Sequence, residues 1–182
     1  MTRRIFLDTE WTREPWSAES EFMWLGLADE AGQSWYAISS EAEIDPANNE
    51  FISGAFNLIS PDEPRMTKSE IAAAVVDFCG DVDEFWVWIP PLERFAAWFE
   101  LGEDAEAVYA KYRDYDLQIV QSLVKPWPSG WPVRVHNLYT AALKSGVELP
   151  PRAENHLHPR VHVEWNQELF SRIARAGGVD DD

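Results

Sequence analysis

The chain has little cysteine, little positive charge and no long apolar run. Cys79 is the only cysteine in 182 residues, which excludes an internal disulfide and a zinc site built from several cysteines. No run of about 18 apolar residues occurs, so we expect no membrane-spanning helix. The apolar run after Arg3 and Arg4 is too short for a signal peptide, and a lone cysteine fits a reducing cytoplasm.

Basic residues are scarce. The chain has 15 Lys and Arg against 32 Asp and Glu, which gives a formal net charge of −17. This charge argues against a protein that grips nucleic acid with a broad basic surface. It does not exclude a metal-dependent nuclease, because bound cations can hold phosphate oxygens beside only a few basic residues.

What the chain does have is enough apolar sequence for one folded domain. Apolar residues make up 46% of the chain and ten residues are Trp, so a sizeable core with many buried indole rings is expected. We expect this domain to span residues 1–176. Residues 177–182, which read Gly-Gly-Val-Asp-Asp-Asp, are expected to form a flexible acidic tail.

The pattern of apolar residues predicts strands before helices. Strands are expected at 3–8, 21–28, 34–38 and 85–89, the second and third forming a hairpin. A capping box at Thr67–Glu70 predicts a helix that ends at Gly80, and residues 41–66 are expected to be irregular. Further helices are expected from Pro91 to Leu123 with a break near Gly102, at 136–145, and from Pro159. This order favours a mixed α/β sheet covered by helices.

Two carboxylates end the first predicted strand. In a strand, residues two apart point to the same face, so Asp8 and Glu10 would project side by side. Like charges at that spacing repel and favour a cation between or beside them, which makes the pair a candidate divalent-metal site. On this motif alone, an ordinary strand end entering a polar loop remains the alternative.

The segment Leu7–Trp11, followed by the hairpin, resembles the RNase-H-like DEDD 3′–5′ exonucleases. Within them the chain is similar to the small exoribonuclease family typified in mycobacteria. The similarity continues in order through Phe85–Trp88, Tyr115-Asp116, Leu149–Arg152 and Glu164–Leu169, and so covers nearly the whole chain. The resemblance implies an RNase-H-like α/β fold and a nuclease activity.

The chain departs from the family pattern in two places. Residues 90–113 form an insertion between the central strand and Asp116, and Glu93 in that insertion is a rival for the acidic role of Asp116. The last carboxylate of the family pattern falls on His162, and no Asp is present in that segment. A shift of one or two residues would bring Glu164 into the ligand role instead.

The resemblance implies a two-metal site. Asp8, Glu10 and Asp116 would hold two Mg²⁺ or Mn²⁺ ions, and a histidine would be the general base. His162 would ligate a metal and favour Mn²⁺ or a transition metal. Because His158 and His162 are four residues apart, a helix would place them on one face. The base is expected at His158 or His156, and weaker expectations put Thr9, Trp11 and Trp16 near the substrate.

Two functions remain open from the sequence. The first is a metal-dependent 3′–5′ exonuclease, with RNA as the expected substrate, acting on 3′ ends of single-stranded RNA or DNA. The second is a catalytically degenerate binding or regulatory protein of the same fold, motivated by His162, the insertion and the acidity. We expect no membrane partner, and a homodimer is compatible with either function.

Overall fold

The computed structural model describes residues 2–14, 16–42, 59–60, 62–63, 65–153 and 158–179. Within these residues the chain forms six strands and six helices. The strands are β1 (Arg4–Trp11), β2 (Phe22–Asp29), β3 (Ser34–Ser39), β4 (Arg65–Met66), β5 (Glu84–Val87) and β6 (Val135–Asn137). The helices are α1 (Lys68–Cys79), α2 (Leu92–Trp98), α3 (Ala105–Tyr112), α4 (Tyr115–Leu123), α5 (Leu138–Ser145) and α6 (Pro159–Arg175).

The described strands form one mixed sheet in the order β4-β3-β2-β1-β5-β6. The β1–β2 and β2–β3 pairs are antiparallel, whereas β1–β5, β5–β6 and β3–β4 are parallel. The predicted α/β class, with three N-terminal strands in a mixed sheet and flanking helices, is confirmed. The strand that carries the two carboxylates, β1, is central and has strands on both sides.

Helices cover both faces of the sheet, and β1 alternates between the two cores. Ile5 and Leu7 are fully buried in a core that includes residues of α1 and α4. Phe6 is fully buried in a second core that includes residues of α5 and α6. This alternation is the period of two that a strand requires, and it decides which helices face Asp8 and Glu10.

The predicted helix boundaries hold where capping residues define them. Thr67 and Glu70 form the expected capping box of α1, and Gly80 follows that helix with φ 53°. The helix expected over 91–123 is three helices, because the chain breaks at Arg113–Asp114 as well as near Gly102. Residues 135–137, whose last two were expected to begin a helix, instead form β6 at the sheet edge.

The region expected to be irregular, 41–66, is described only in part. Residues 43–58, 61 and 64 lie outside the described residues, and the described end of the region contains the short strand β4. Of the expected tail, only residues 177–179 are described. Across the described ranges, no helix is both long and apolar enough to cross a membrane.

Residues 90–113, the expected insertion, contain α2 and α3, which an aromatic cluster joins to the loop after β1. The Trp16 ring lies 4.9 Å from Phe99, 5.5 Å from Tyr112 and 6.2 Å from Phe95, measured between ring centroids. The Tyr109 hydroxyl donates a hydrogen bond to the Pro90 carbonyl. Trp16 therefore packs inside this cluster.

Candidate active site

Strand β1 places Asp8 and Glu10 on the face of the sheet that α6 covers. Phe6, two residues before Asp8, packs in the core that includes residues of α6. Asp8 is 7% exposed, and its neighbour on β2 is Gly26. The two carboxylates thus emerge from a central strand beneath a helix, where water solvates them poorly.

Gly26 allows the first turn of α6 to lie directly on the sheet. A Cβ atom at this position would lie 2.5 Å from the Pro159 carbonyl oxygen and 2.9 Å from Val163 Cγ1. Only a residue without a Cβ fits against a backbone this close. The close approach brings His162 to Asp8, and His162 Nδ1 lies 2.8 Å from Asp8 Oδ2.

The third carboxylate reaches the same strand end from the first turn of α4. Asp116 is 3% exposed, and its Oδ1 accepts hydrogen bonds from the Thr9 backbone N–H at 2.9 Å and from Thr9 Oγ1 at 2.7 Å. Thr9 lies between Asp8 and Glu10 and points to the opposite face. One residue of β1 thus fixes the third acid beside the other two.

The ligand atoms of Asp8, Glu10 and His162 all lie within 4.8 Å of one another. Burial raises the pKa of Glu10 well above its usual value, and the charges of Asp8 and Asp116 raise it further. Burial and Asp8 also raise the pKa of Asp116, whereas the two hydrogen bonds from Thr9 act in the opposite direction. The site therefore brings together acidic groups whose ionised forms repel one another, and a bound cation would relieve that repulsion.

The residues present fit a divalent cation. Within the described part of the chain, Asp8 Oδ2 and both ring nitrogens of His162 are among the buried polar atoms that make no hydrogen bond, although Nδ1 and Oδ2 lie close together. Buried polar atoms normally have a partner, so two unsatisfied groups that face each other indicate a ligand position. Carboxylate oxygens with one imidazole suit Mn²⁺ or another transition metal better than Mg²⁺.

His158 and Glu164 do not join this cluster. His158 is the N-cap of α6, and it contacts Glu63 at 3.4 Å and the Tyr36 ring at 5.0 Å. Glu164 is exposed and accepts a hydrogen bond from Ser34 Oγ. Both side chains lie over β3 or its neighbours, so we leave them out of the proposed site. His156 lies outside the described residues.

The aromatic residues expected near the substrate are engaged in packing. The Trp11 ring meets Tyr115 edge-on at 6.1 Å and packs against the core that includes residues of α1 and α4.

Glu93, the rival of Asp116, is exposed in the first turn of α2. Asp116 rather than Glu93 makes the contact with β1.

Arg152 lies near the carboxylates, although no sequence pattern had indicated it as a site residue. Its guanidinium carbon sits 3.8 Å from the centre of the Trp165 ring and 5.8 Å from that of Trp88, and these two rings meet edge-on at 5.2 Å. Desolvation lowers the pKa of Arg152, Asp8 raises it and Arg94 lowers it, so both charges act on this guanidinium. The two Trp residues flanking the site were the available signal, because Arg commonly stacks on indole rings.

Comparison with solved structures found several chains of similar structure. The RNase domain of the yeast Pop2 protein can be superposed on 94% of this chain and 76% of its own, with 12% sequence identity and a TM-score of 0.47. Neither a scan of protein-family models nor a search of curated proteins found a match.

Proposed function

We propose that the chain is a metal-dependent 3′–5′ exonuclease of the RNase-H-like DEDD type. Its substrate is the 3′ end of single-stranded RNA or DNA, with RNA expected, and residues 1–176 form its one domain. The insertion at 90–113 and the histidine at position 162 distinguish it from the pattern of the family it resembles.

The observation that supports this proposal most directly is the convergence of Asp8, Glu10 and His162, which include buried atoms without a hydrogen-bond partner among the described residues. Residues from opposite ends of the chain meet there, since β1 supplies the acids and α6 supplies the histidine. Asp116 joins them through Thr9 from the other face of the sheet. Buried like charges are costly, and such an arrangement is typical of functional sites.

In this proposal, Asp8, Glu10, Asp116 and His162 would hold the divalent ions. Bound ions would act as Lewis acids on the scissile phosphate and lower the pKa of the attacking water. Thr9 orients Asp116 through its backbone and hydroxyl hydrogen bonds. Arg152, which the two Trp rings position, offers N–H donors to a phosphate oxygen of the substrate.

The test is digestion of 5′-labelled single-stranded RNA and DNA with Mn²⁺ or Mg²⁺. The wild type should shorten the oligonucleotide stepwise from its 3′ end and release nucleoside monophosphates. Asp8→Asn keeps the shape of the side chain but removes its charge, and should lower the rate by at least about a hundredfold. Glu164→Gln is the matched control on α6 and should retain activity, since Glu164 faces Ser34.

Because His162 stands where the family pattern has a carboxylate, a second candidate function remains: a binding protein on a degenerate nuclease fold. This second function predicts that, with any divalent ion, the wild type releases no more nucleotide than Asp8→Asn does. A melting curve of Asp8→Asn would show that the variant is folded, so that lost activity is assigned to the site. Stepwise digestion abolished by Asp8→Asn would exclude this second function.

A further inference from the structure

A cavity of about 860 Å³ beside β6 concentrates positive charge in an acidic chain. Arg113, Arg134 and Lys144 line it, together with His136. Among the described lining residues Asp114 is the one acid, whereas the whole chain has 32 acidic and 15 basic residues. The balance of charge in this groove is thus opposite to that of the chain.

The three cations are available to a ligand. Within the described part of the chain, the side chains of Arg113, Arg134 and Lys144 make no hydrogen bond or ion pair. Asp114, the acid nearby, instead accepts a hydrogen bond from Gln118 Nε2 at 2.8 Å. An anionic ligand could therefore reach all three charges without first breaking an ion pair.

The groove also presents a flat aromatic surface. The exposed His136 ring stacks on Trp86 at 4.7 Å with 19° between the two planes. Trp86 supports this ring from the buried side, since it is 6% exposed. Positive charges beside a supported ring are the combination that binds single-stranded nucleic acid, with phosphates on the cations and a base on the ring.

The groove adjoins the candidate active site. Asp114 lines the groove, and Asp116 lies two residues further along the chain. Ile89 also lines it and directly follows Trp88, whose ring meets Trp165 on α6. Strands β6 and β1 are separated only by β5, so their axes are about 10 Å apart at the usual strand spacing.

We propose that this groove, defined by Arg113, Arg134, Lys144 and His136, binds the single-stranded nucleic acid upstream of the 3′ end that enters the site. The inference rests on the proposed exonuclease function and adds a path for the substrate. The groove makes the enzyme prefer a strand long enough to reach β6 over a dinucleotide. Because the chain as a whole is acidic, the rest of its surface contributes little to binding.

The first experiment measures binding without hydrolysis. Anisotropy of a fluorescein-labelled single strand of about twelve nucleotides is recorded with chelator present, over a range of salt concentrations. Arg134→Glu/Lys144→Glu should weaken binding at least tenfold. Because each phosphate contact contributes about 0.7 to the salt slope, that slope should fall by about 1.4. Lys68→Glu/Lys125→Glu, the same change of charge at a different cavity, should leave both the affinity and the salt slope unchanged.

The second experiment compares hydrolysis of the long strand with hydrolysis of a dinucleotide. The ratio of kcat/KM for the long strand to kcat/KM for the dinucleotide should fall at least fivefold in Arg134→Glu/Lys144→Glu, but should not change in Lys68→Glu/Lys125→Glu. The proposed role of the groove would be overturned if these two variants bound the long strand equally well, or if the wild type did not bind it. Binding through the groove without any hydrolysis would instead refute the proposed exonuclease, so the two failures are distinguishable.

Discussion

Replacing Glu10 with Gln should stabilise the metal-free protein and abolish its response to metal. The ligand atoms of Asp8 and Glu10 lie within 4.8 Å of each other, and burial and both acid neighbours raise the pKa of Glu10. Two full charges at this distance repel by about 3 kcal/mol at an effective dielectric constant of 20. In the wild type, Glu10 partly escapes this repulsion by binding a proton. We therefore expect Glu10→Gln to increase the free energy of unfolding of the metal-free protein by about 1–2 kcal/mol, which raises Tm by roughly 3–6 °C.

The pH dependence of this effect has a definite sign. A carboxyl group whose pKa is raised in the folded state makes the fold most stable at low pH, and that stability is lost as pH rises through the raised pKa. The wild type in chelator should therefore lose stability between mildly acidic and mildly alkaline buffer. Glu10→Gln should lose less stability over the same pH range. Its Tm should therefore exceed that of the wild type by the largest margin in the alkaline buffer.

Thermal melts with and without Mn²⁺ complete the test. At a concentration of a hundred times its dissociation constant, a metal that binds only the folded state adds about 2.7 kcal/mol to the free energy of unfolding, and the wild type should show this gain. Glu10→Gln should show little of it, and Glu164→Gln, an exposed acid, should behave as the wild type. A Glu10→Gln protein that melts lower than the wild type in alkaline chelator, or gains equally from Mn²⁺, would refute the charge cluster.

Three further predictions concern the elements around the cluster. His162→Asp should raise activity with Mg²⁺ relative to Mn²⁺, because it replaces the nitrogen ligand with oxygen; an unchanged Mg²⁺/Mn²⁺ activity ratio would contradict ligation by His162. Gly26→Ala should destabilise the fold by about 1–3 kcal/mol in urea unfolding, since the new Cβ would meet the Pro159 carbonyl; a neutral result would contradict the close seating of α6. Arg152→Ala should raise KM about tenfold with little change in Tm, because a charge-assisted hydrogen bond to phosphate is lost; an unchanged KM would remove Arg152 from the substrate contacts.

Local patterns predicted the parts of the fold that local forces determine. Alternation along β1 placed Asp8 and Glu10 on one face, and the capping box at Thr67 predicted the start of α1. By contrast, β6 has three residues between a proline-rich loop and a helix, and only pairing with β5 makes it a strand. The hydrogen bonds between Thr9 and Asp116 join residues 107 positions apart, and nothing in the sequence predicted them. The family resemblance, rather than a local pattern, placed Asp116 in the candidate site.

His158 and Glu164 lie apart from His162 for two different reasons. His158 and His162 are four residues apart, yet His158 is the N-cap, with extended backbone at φ −69° and ψ 130°, so the helical spacing does not apply to it. Glu164 is two residues after His162, about 200° around the helix, and so points away from Asp8. The glycine opposite Asp8 was the signal in the sequence that α6 lies against this strand.

The aromatic cluster around Trp16 makes residues 90–113 part of the support for β1. Trp16 lies six residues beyond Glu10, and its ring packs against Phe99 and Tyr112. These two residues come before and after Gly102 in the chain, so Trp16 contacts both helices of the pair or the residues next to them. The loop after β1 and the pair α2–α3 should therefore open together as one cooperative unit in hydrogen exchange. A chain shortened by deleting the pair would lose the anchor of that loop, and with it the rigidity of the strand end that carries the carboxylates.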